Sequence, residues 1–262
     1  MASQIVKHAI LMVLNNLVNA LKATIGPALI AGIAITLLGA ALGVGPAMMT
    51  SLGTADPDAF PMAPGNAGGL VVFVLGAAVI MFFAMSWAAV AWHRYILLEE
   101  YPGVLPAIND RPILGYIGKT LLLTLLLMLV MVPVMLLLGG LFATLTQGGS
   151  LVTGLIVSGV LGILVSYFWL RWALVLPSTA VNKPMGIRES WAATANYTRT
   201  ILGVAVLLMV LNLLLGLIAL PFGASIVAVV ISYAVNWFTL MVGLSVLTTL
   251  YGHIVEGRDL AE

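Results

Sequence analysis

Six long apolar runs dominate this chain, and none carries a charge near its middle. They lie at about Pro27–Met49, Gly69–Trp92, Thr120–Phe142, Leu151–Trp172, Ile201–Leu220 and Ser225–Leu250. A helix crossing the ~30 Å hydrocarbon layer needs about 20 mostly apolar residues. Lipid admits only helices and closed barrels, because every backbone polar group must find its partner inside the protein. Barrel strands alternate apolar and polar residues, whereas these runs are continuous. The chain is therefore predicted to be an all-α polytopic membrane protein, one integral membrane domain over residues 1–262. Its six spans form three hairpins, each preceded by an interfacial amphipathic segment. Pro133, inside the third run, predicts a bend there.

Composition narrows the class further. Apolar residues make up 62% of the chain and charged residues 7%, against about 25% charged in a soluble domain. So few charges cannot cover the surface of a soluble globule. They also exclude a disordered chain and the clustered basic surface that a nucleic-acid partner needs. The absence of cysteine removes disulfides, thiolate metal sites and a cysteine nucleophile.

The few charges are strongly segregated. With six spans both termini share one side, and all ten bases fall there: Lys7, Lys22, Arg94, Arg111, Lys119, Arg171, Lys183, Arg188, Arg199 and Arg258. The three opposite loops, near 50–68, 143–150 and 221–224, hold only Asp56 and Asp58. Basic segments resist translocation, so both termini are expected in the cytoplasm. Trp92, Tyr95, Trp172, Trp191, Tyr197 and Tyr251 sit near the same interface, where amphipathic rings anchor.

Residues 1–23 place Gln4, Lys7, His8, Asn15, Asn19 and Lys22 on a narrow helical stripe, with Ile5, Ala9, Met12, Val13, Leu17 and Leu21 around the rest. Two readings stand: an interfacial helix, or a first helix packed on neighbouring spans. Two further spans end alike, in Trp92-His93-Arg94-Tyr95 and Trp169-Leu170-Arg171-Trp172. A Pro-containing linker and a base-Thr pair, Lys119-Thr120 or Arg199-Thr200, follow each. This suggests three parallel repeats of interfacial segment plus hairpin.

Small residues favour close helix approach in lipid. Gly154, Ser158, Gly162 and Ser166 recur every four residues along the fourth span, as do Ala224, Ala228, Ser232 and Asn236 along the sixth, while Gly39 and Gly43 form a GxxxG in the first. The expectation is a compact bundle with the even-numbered helices inside. A homodimer through one of these stripes is the competing reading.

Chemistry-bearing groups are sparse. No ionisable residue lies at membrane depth, where a coupled transporter would hold one. No metal-ligand spacing, phosphate loop or nucleophile motif appears, so no catalytic, cofactor or metal site is assigned. His93 and Arg94, with Glu99 and Glu100 nearby, form the densest cluster, readable as a phosphate head-group site or as a helix end with a snorkelling arginine. Arg171 with Trp172 is read the same way, with Glu189 as an alternative partner for the guanidinium. Arg188 and Trp191 complete the lipid-contact set, on an interfacial helix within the loop 177–200 that begins after Pro177 stops the fourth span.

The stretch Arg171-Trp172-Ala173-Leu174-Val175-Leu176-Pro177-Ser178, followed by Glu189-Ser190-Trp191 and Thr194, resembles a group of poorly characterised bacterial inner-membrane proteins. That group includes the membrane domain attached to some glycerophosphoryl diester phosphodiesterases. The resemblance implies a six-span layout in the bacterial inner membrane, and no hydrolytic site in this chain. The expected role is non-enzymatic: assembly, lipid organisation or an accessory subunit, with membrane lipids and other membrane proteins as partners. The alternative is a small-molecule permease or exporter without a buried charged coupling site.

Overall fold

The computed structural model describes residues 1–45, 67–146, 151–218, 220–223 and 225–260. Nine α-helices are assigned among the described residues: α1 (Ala2–Asn15), α2 (Leu17–Ala41), α3 (Ala67–Leu98), α4 (Ile113–Thr146), α5 (Leu151–Trp172), α6 (Val175–Ala180), α7 (Ile187–Ala193), α8 (Thr198–Leu217) and α9 (Ile226–Ile254). Six helices are long and apolar enough to cross a membrane. With no strand among the described residues, the all-α six-span reading is the observed fold. The two acids of the opposite side, Asp56 and Asp58, lie outside the described residues, as does Ala224.

The first span is displaced from its predicted position. It runs Leu17–Ala41, ten residues earlier than the apolar run at 27–49 suggests. Asn16 leaves helical geometry at φ −119° and breaks α1 from α2, so the helix restarts at Leu17. Pro27 lies inside α2, not at its start. The helix stops because Gly43 takes φ 68°. Its N–H reaches the Ala40 carbonyl at 3.3 Å and the Val44 N–H reaches Gly39 at 2.8 Å, the double bond of a Schellman cap. Gly43 is thus a helix terminator, and the Gly39/Gly43 pair is not a packing motif along one helix. α4 runs through Pro133.

The interfacial segments also differ from one repeat to the next. α1 is an amphipathic helix that buries Ile5, Val6, Ala9 and Val13 against α8 and α9, so the packed-helix reading holds for that face. The linker after α3 contains no helix; the amphipathic stretch before Lys119-Thr120 is simply the start of α4. That linker presents Tyr101, Val104, Leu105 and Ile108 on its surface and docks by Trp87 Nε1 donating to the Pro106 carbonyl at 3.1 Å. A Cβ at Gly26 would run into the Val104 carbonyl oxygen, so only glycine lets α2 sit against the linker.

The loop 177–200 is not wholly surface. Its first part is α6, whose six residues are all buried, Pro177 included, because it tucks between α3, α4 and α9. Proline is tolerated in the first turn of a helix, where its missing N–H has no intrahelical partner. Span four therefore ends at Trp172, and Pro177 belongs to the helix that follows. The interfacial helix that the sequence predicts is α7, seven residues long.

Burial is concentrated at the end of the bundle that carries the bases. The main apolar cluster joins α1, the second half of α3, the first turns of α4 and α8, the last turn of α5, α6, and the second half of α9. The far halves of the spans turn apolar side chains outward, among them Leu75, Val79, Leu129, Leu136, Leu213 and Val230.

The small-residue stripes do not sit in this core. Gly162 and Ser158 are exposed on α5, and a Cβ at Gly154 or Gly162 would meet nothing within 4 Å. The contact between α5 and α8 uses Gly159 instead, where an added Cβ would lie 2.9 Å from Met209 Cε. The packed face is thus turned about 100° from the predicted one, one residue of helical rotation. On α9, Ala228 is buried, Ser232 is half-buried and Asn236 is exposed, with its amide returning to the Ser232 carbonyl at 2.8 Å.

Candidate functional site

The second halves of α3 and α9 meet through hydrogen-bonding side chains. Trp92 Nε1 donates to Ser245 Oγ at 3.0 Å. Thr248 Oγ1 donates to the Leu244 carbonyl at 2.8 Å. It therefore accepts from His93 Nδ1, 2.8 Å away. That leaves His93 Nε2 to accept from the Tyr116 hydroxyl at 3.3 Å. His93 is fully buried, so it ties α3, α4 and α9 together and does not reach a head group.

Arg94 is also an internal clasp. Its Nε and Nη2 donate to the two Glu100 carboxylate oxygens at 2.9 and 2.6 Å, and Nη1 donates to the Ala180 carbonyl at 2.8 Å. A cation at the C-terminal carbonyls of α6 is the favourable sign for a helix end. Arg111 reaches the same carboxylate at 2.9 Å, so the salt bridges close the linker 99–112 at both ends. The hydrogen bond from Arg94 holds the Glu100 carboxyl below the usual carboxylate range, against the opposing effect of partial burial. The charges of Arg94 and Arg111 act in the same downward direction.

Arg171 plays the corresponding part at the end of α5. Nε donates to Thr194 Oγ1 at 3.1 Å, Nη1 to the Tyr167 hydroxyl at 3.0 Å and Nη2 to the Trp191 carbonyl at 2.8 Å. Its guanidinium carbon lies 3.6 Å from the Trp191 ring centroid, a cation–π contact. Ser190 Oγ donates back to the Arg171 carbonyl at 2.7 Å. No carboxylate pairs with Arg171 among the described residues. Glu189, the partner considered from sequence, instead accepts from the Gly186 N–H at 2.7 Å and caps α7.

The six residues assigned to lipid contact therefore divide. His93, Arg94, Arg171 and Trp172 are buried in the protein. Trp191 is half-buried against Arg171, Phe168 and Trp172. Arg188 alone of the six is exposed. The two Trp-x-Arg-aromatic repeats do share a role, since both guanidiniums bond a main-chain carbonyl of a following short helix.

Above these clasps lies a cavity of about 510 Å³, bounded by α3, α4, α5, α8 and α9, with Leu176 of α6 at its floor. Its walls are mainly Leu, Phe, Met and Val side chains, and no charged side chain lines it among the described residues. The volume falls in the ~300–1,000 Å³ range of small-molecule sites. Ser86, Tyr116, Thr120, Ser166 and Trp169 supply its few polar atoms. A second cavity of about 220 Å³ lies beside α1, where His8 and His253 come together with Thr249. Thr249 Oγ1 and His253 Nε2 are buried there without a partner.

Sequence reasoning passed over Ser245, Thr248, Thr249 and Gly252. Their spacing of three, four and seven puts them on one helical face, and all four are buried. That stripe lies in the half of α9 where every residue from Ser245 to Gly252 is buried, whereas 228, 232 and 236 lie in the half where only Ala228 is.

The fold defines a polytopic α-helical membrane protein with a clasped basic end and an apolar cavity between its spans. No family model, curated protein or solved structure matches the chain.

Proposed function

We propose that this is a non-enzymatic protein of the bacterial inner membrane, termini in the cytoplasm, that organises lipid by holding lipid molecules within its bundle. It would belong with the inner-membrane group that its Arg171–Ser178 stretch resembles. The observation that carries this reading is the cavity: apolar walls at membrane depth, reached by five of the six spans, and free of charged side chains among the described residues. A path for a polar solute needs polar lining groups, so the same cavity weighs against the permease alternative. The non-enzymatic reading is supported by His93 and Arg94, whose polar atoms are engaged in holding helices together. The cytoplasmic placement of the termini rests on the ten bases gathered at one end.

Two measurements test this. Native mass spectrometry of the purified protein should show lipids that survive detergent removal, and the protein in liposomes should give no saturable solute movement. Saturable movement of a defined polar solute, with no retained lipid, would overturn the reading. The chain lacks cysteine, so a single Gln4→Cys or Asp56→Cys reports sidedness cleanly. An impermeant maleimide added outside should label only the latter.

A further inference from the structure

We infer that the cavity takes a neutral, single-chain lipid ending in a hydroxyl or carbonyl oxygen, and not a phospholipid. This rests on the lipid-organising reading and names the lipid class.

Three observations carry it. The first concerns hydroxyls in the helix interiors. Thr36, Thr120, Thr124 and Thr248 all donate to a carbonyl four residues back, the usual way such a group is satisfied in lipid. Ser86 makes no such bond: it is 3% exposed, lines the cavity, and has no hydrogen-bond partner among the described residues. Ser166 and Trp169, both half-buried, line the same cavity, and neither side chain has a hydrogen-bond partner among the described residues. A polar group that faces an apolar cavity without a partner is costly, and an oxygen on a bound molecule satisfies it.

The second observation is charge. No cation lines the cavity among the described residues, and the nearby guanidiniums of Arg94 and Arg171 are committed to partners inside the protein. A phosphate here would be an unpaired buried anion, which is far costlier than a hydroxyl. The third is size. At the ~30 Å³ share of a water-sized group, 510 Å³ accommodates about 17 such groups, the length of a single acyl-type chain.

The test uses the whole chain in phosphatidylcholine nanodiscs and three photoactivatable probes: a diazirine-bearing hexadecanol, its phosphate monoester and the matching alkane. The alcohol should crosslink to cavity residues such as Leu244, and the phosphate about tenfold less. Gly243 lines the cavity and a Cβ there meets nothing within 4 Å, so Gly243→Leu should fold normally and abolish labelling. Ser86→Ala should lower labelling by the alcohol about threefold to tenfold, as for one lost hydrogen bond. It should leave labelling by the matching alkane unchanged. Equal labelling by the phosphate overturns the neutral-lipid inference while leaving lipid retention intact. Labelling outside the cavity that Gly243→Leu does not affect overturns the inference as well. Loss of all retained lipid in the native spectrum would instead remove the underlying function.

Discussion

The two halves of α9 are built from similar residue types and sit in different surroundings. In the first half Val230 is 62% exposed and Tyr233 74%, while in the second Val246 and Leu250 are fully buried. Hydrophobicity does not separate them. What separates them is hydrogen bonding: Ser245 and Thr248 reach across to Trp92 and His93, whereas Asn236 turns back to its own helix. In lipid an apolar surface is at home on either side of a helix, so apolar residues fix that a helix spans. Polar side chains and close backbone approach fix what it packs against. The basic end is protein core, and the far half is lipid-facing surface.

The largest expected effect comes from unfastening the basic end. Arg94→Met removes a bidentate ion pair and the bond to the Ala180 carbonyl. Breaking a buried pair costs about 3–5 kcal/mol, and the partial exposure of Glu100 puts this one near the lower limit. Thermal unfolding in detergent should show it as the largest drop of the set. If Arg94→Met unfolds like the parent, the basic end is not the stabilising half.

Arg171→Lys comes next. Lysine keeps the charge and can snorkel, but it loses the planar fork and the stacking on Trp191. Arg171→Lys and Arg171→Leu should therefore lower stability by similar amounts, about 2 kcal/mol each. Full rescue by lysine would show that the site needs only a charge at the interface.

The packing register offers a sharper contrast within one helix. Gly159→Leu must displace Met209 at the α5–α8 contact and should cost about 1–3 kcal/mol. Gly162→Leu, three residues on and facing open space, should change unfolding by no more than about 0.5 kcal/mol. The reverse order would restore the stripe at Gly154, Ser158 and Gly162 as the packed face.

The smallest effect is the pH dependence. Glu100 titrates below its ordinary value in the native state. Its contribution is thus complete above that value and is lost as pH falls through the lowered native one. A parent-minus-Glu100→Gln difference in stability should shrink to nothing in that acid range and stay constant above it.

The sequence carried the helix count, the charge asymmetry and five of the spans to within a few residues at one end at least, because apolar run length is a one-dimensional signal. It misplaced the first span because Asn16 and Gly43 act through backbone geometry and not through hydropathy. It misjudged the small-residue faces because, in a helix that is apolar all round, a four-residue period has no apolar face against which to be read. The buried roles of Arg94 and Arg171 depended on α6 and α7 folding back onto the span ends, and that of His93 on α4 and α9 meeting α3, tertiary events that leave no local trace. The cavity likewise draws on five spans distant in sequence.

The claim that most needs testing is that α9 changes environment part-way along its length. Spin labels at single cysteines introduced along α9, with the protein in nanodiscs, report accessibility to dissolved oxygen residue by residue. Labels at Val227, Val230 and Tyr233 should be highly accessible, and those at Ser245, Thr248 and Tyr251, five turns further along the same helical face, inaccessible. An accessible face continuing with unbroken helical period through those last three positions would contradict the division of the molecule into a packed end and a lipid-facing half.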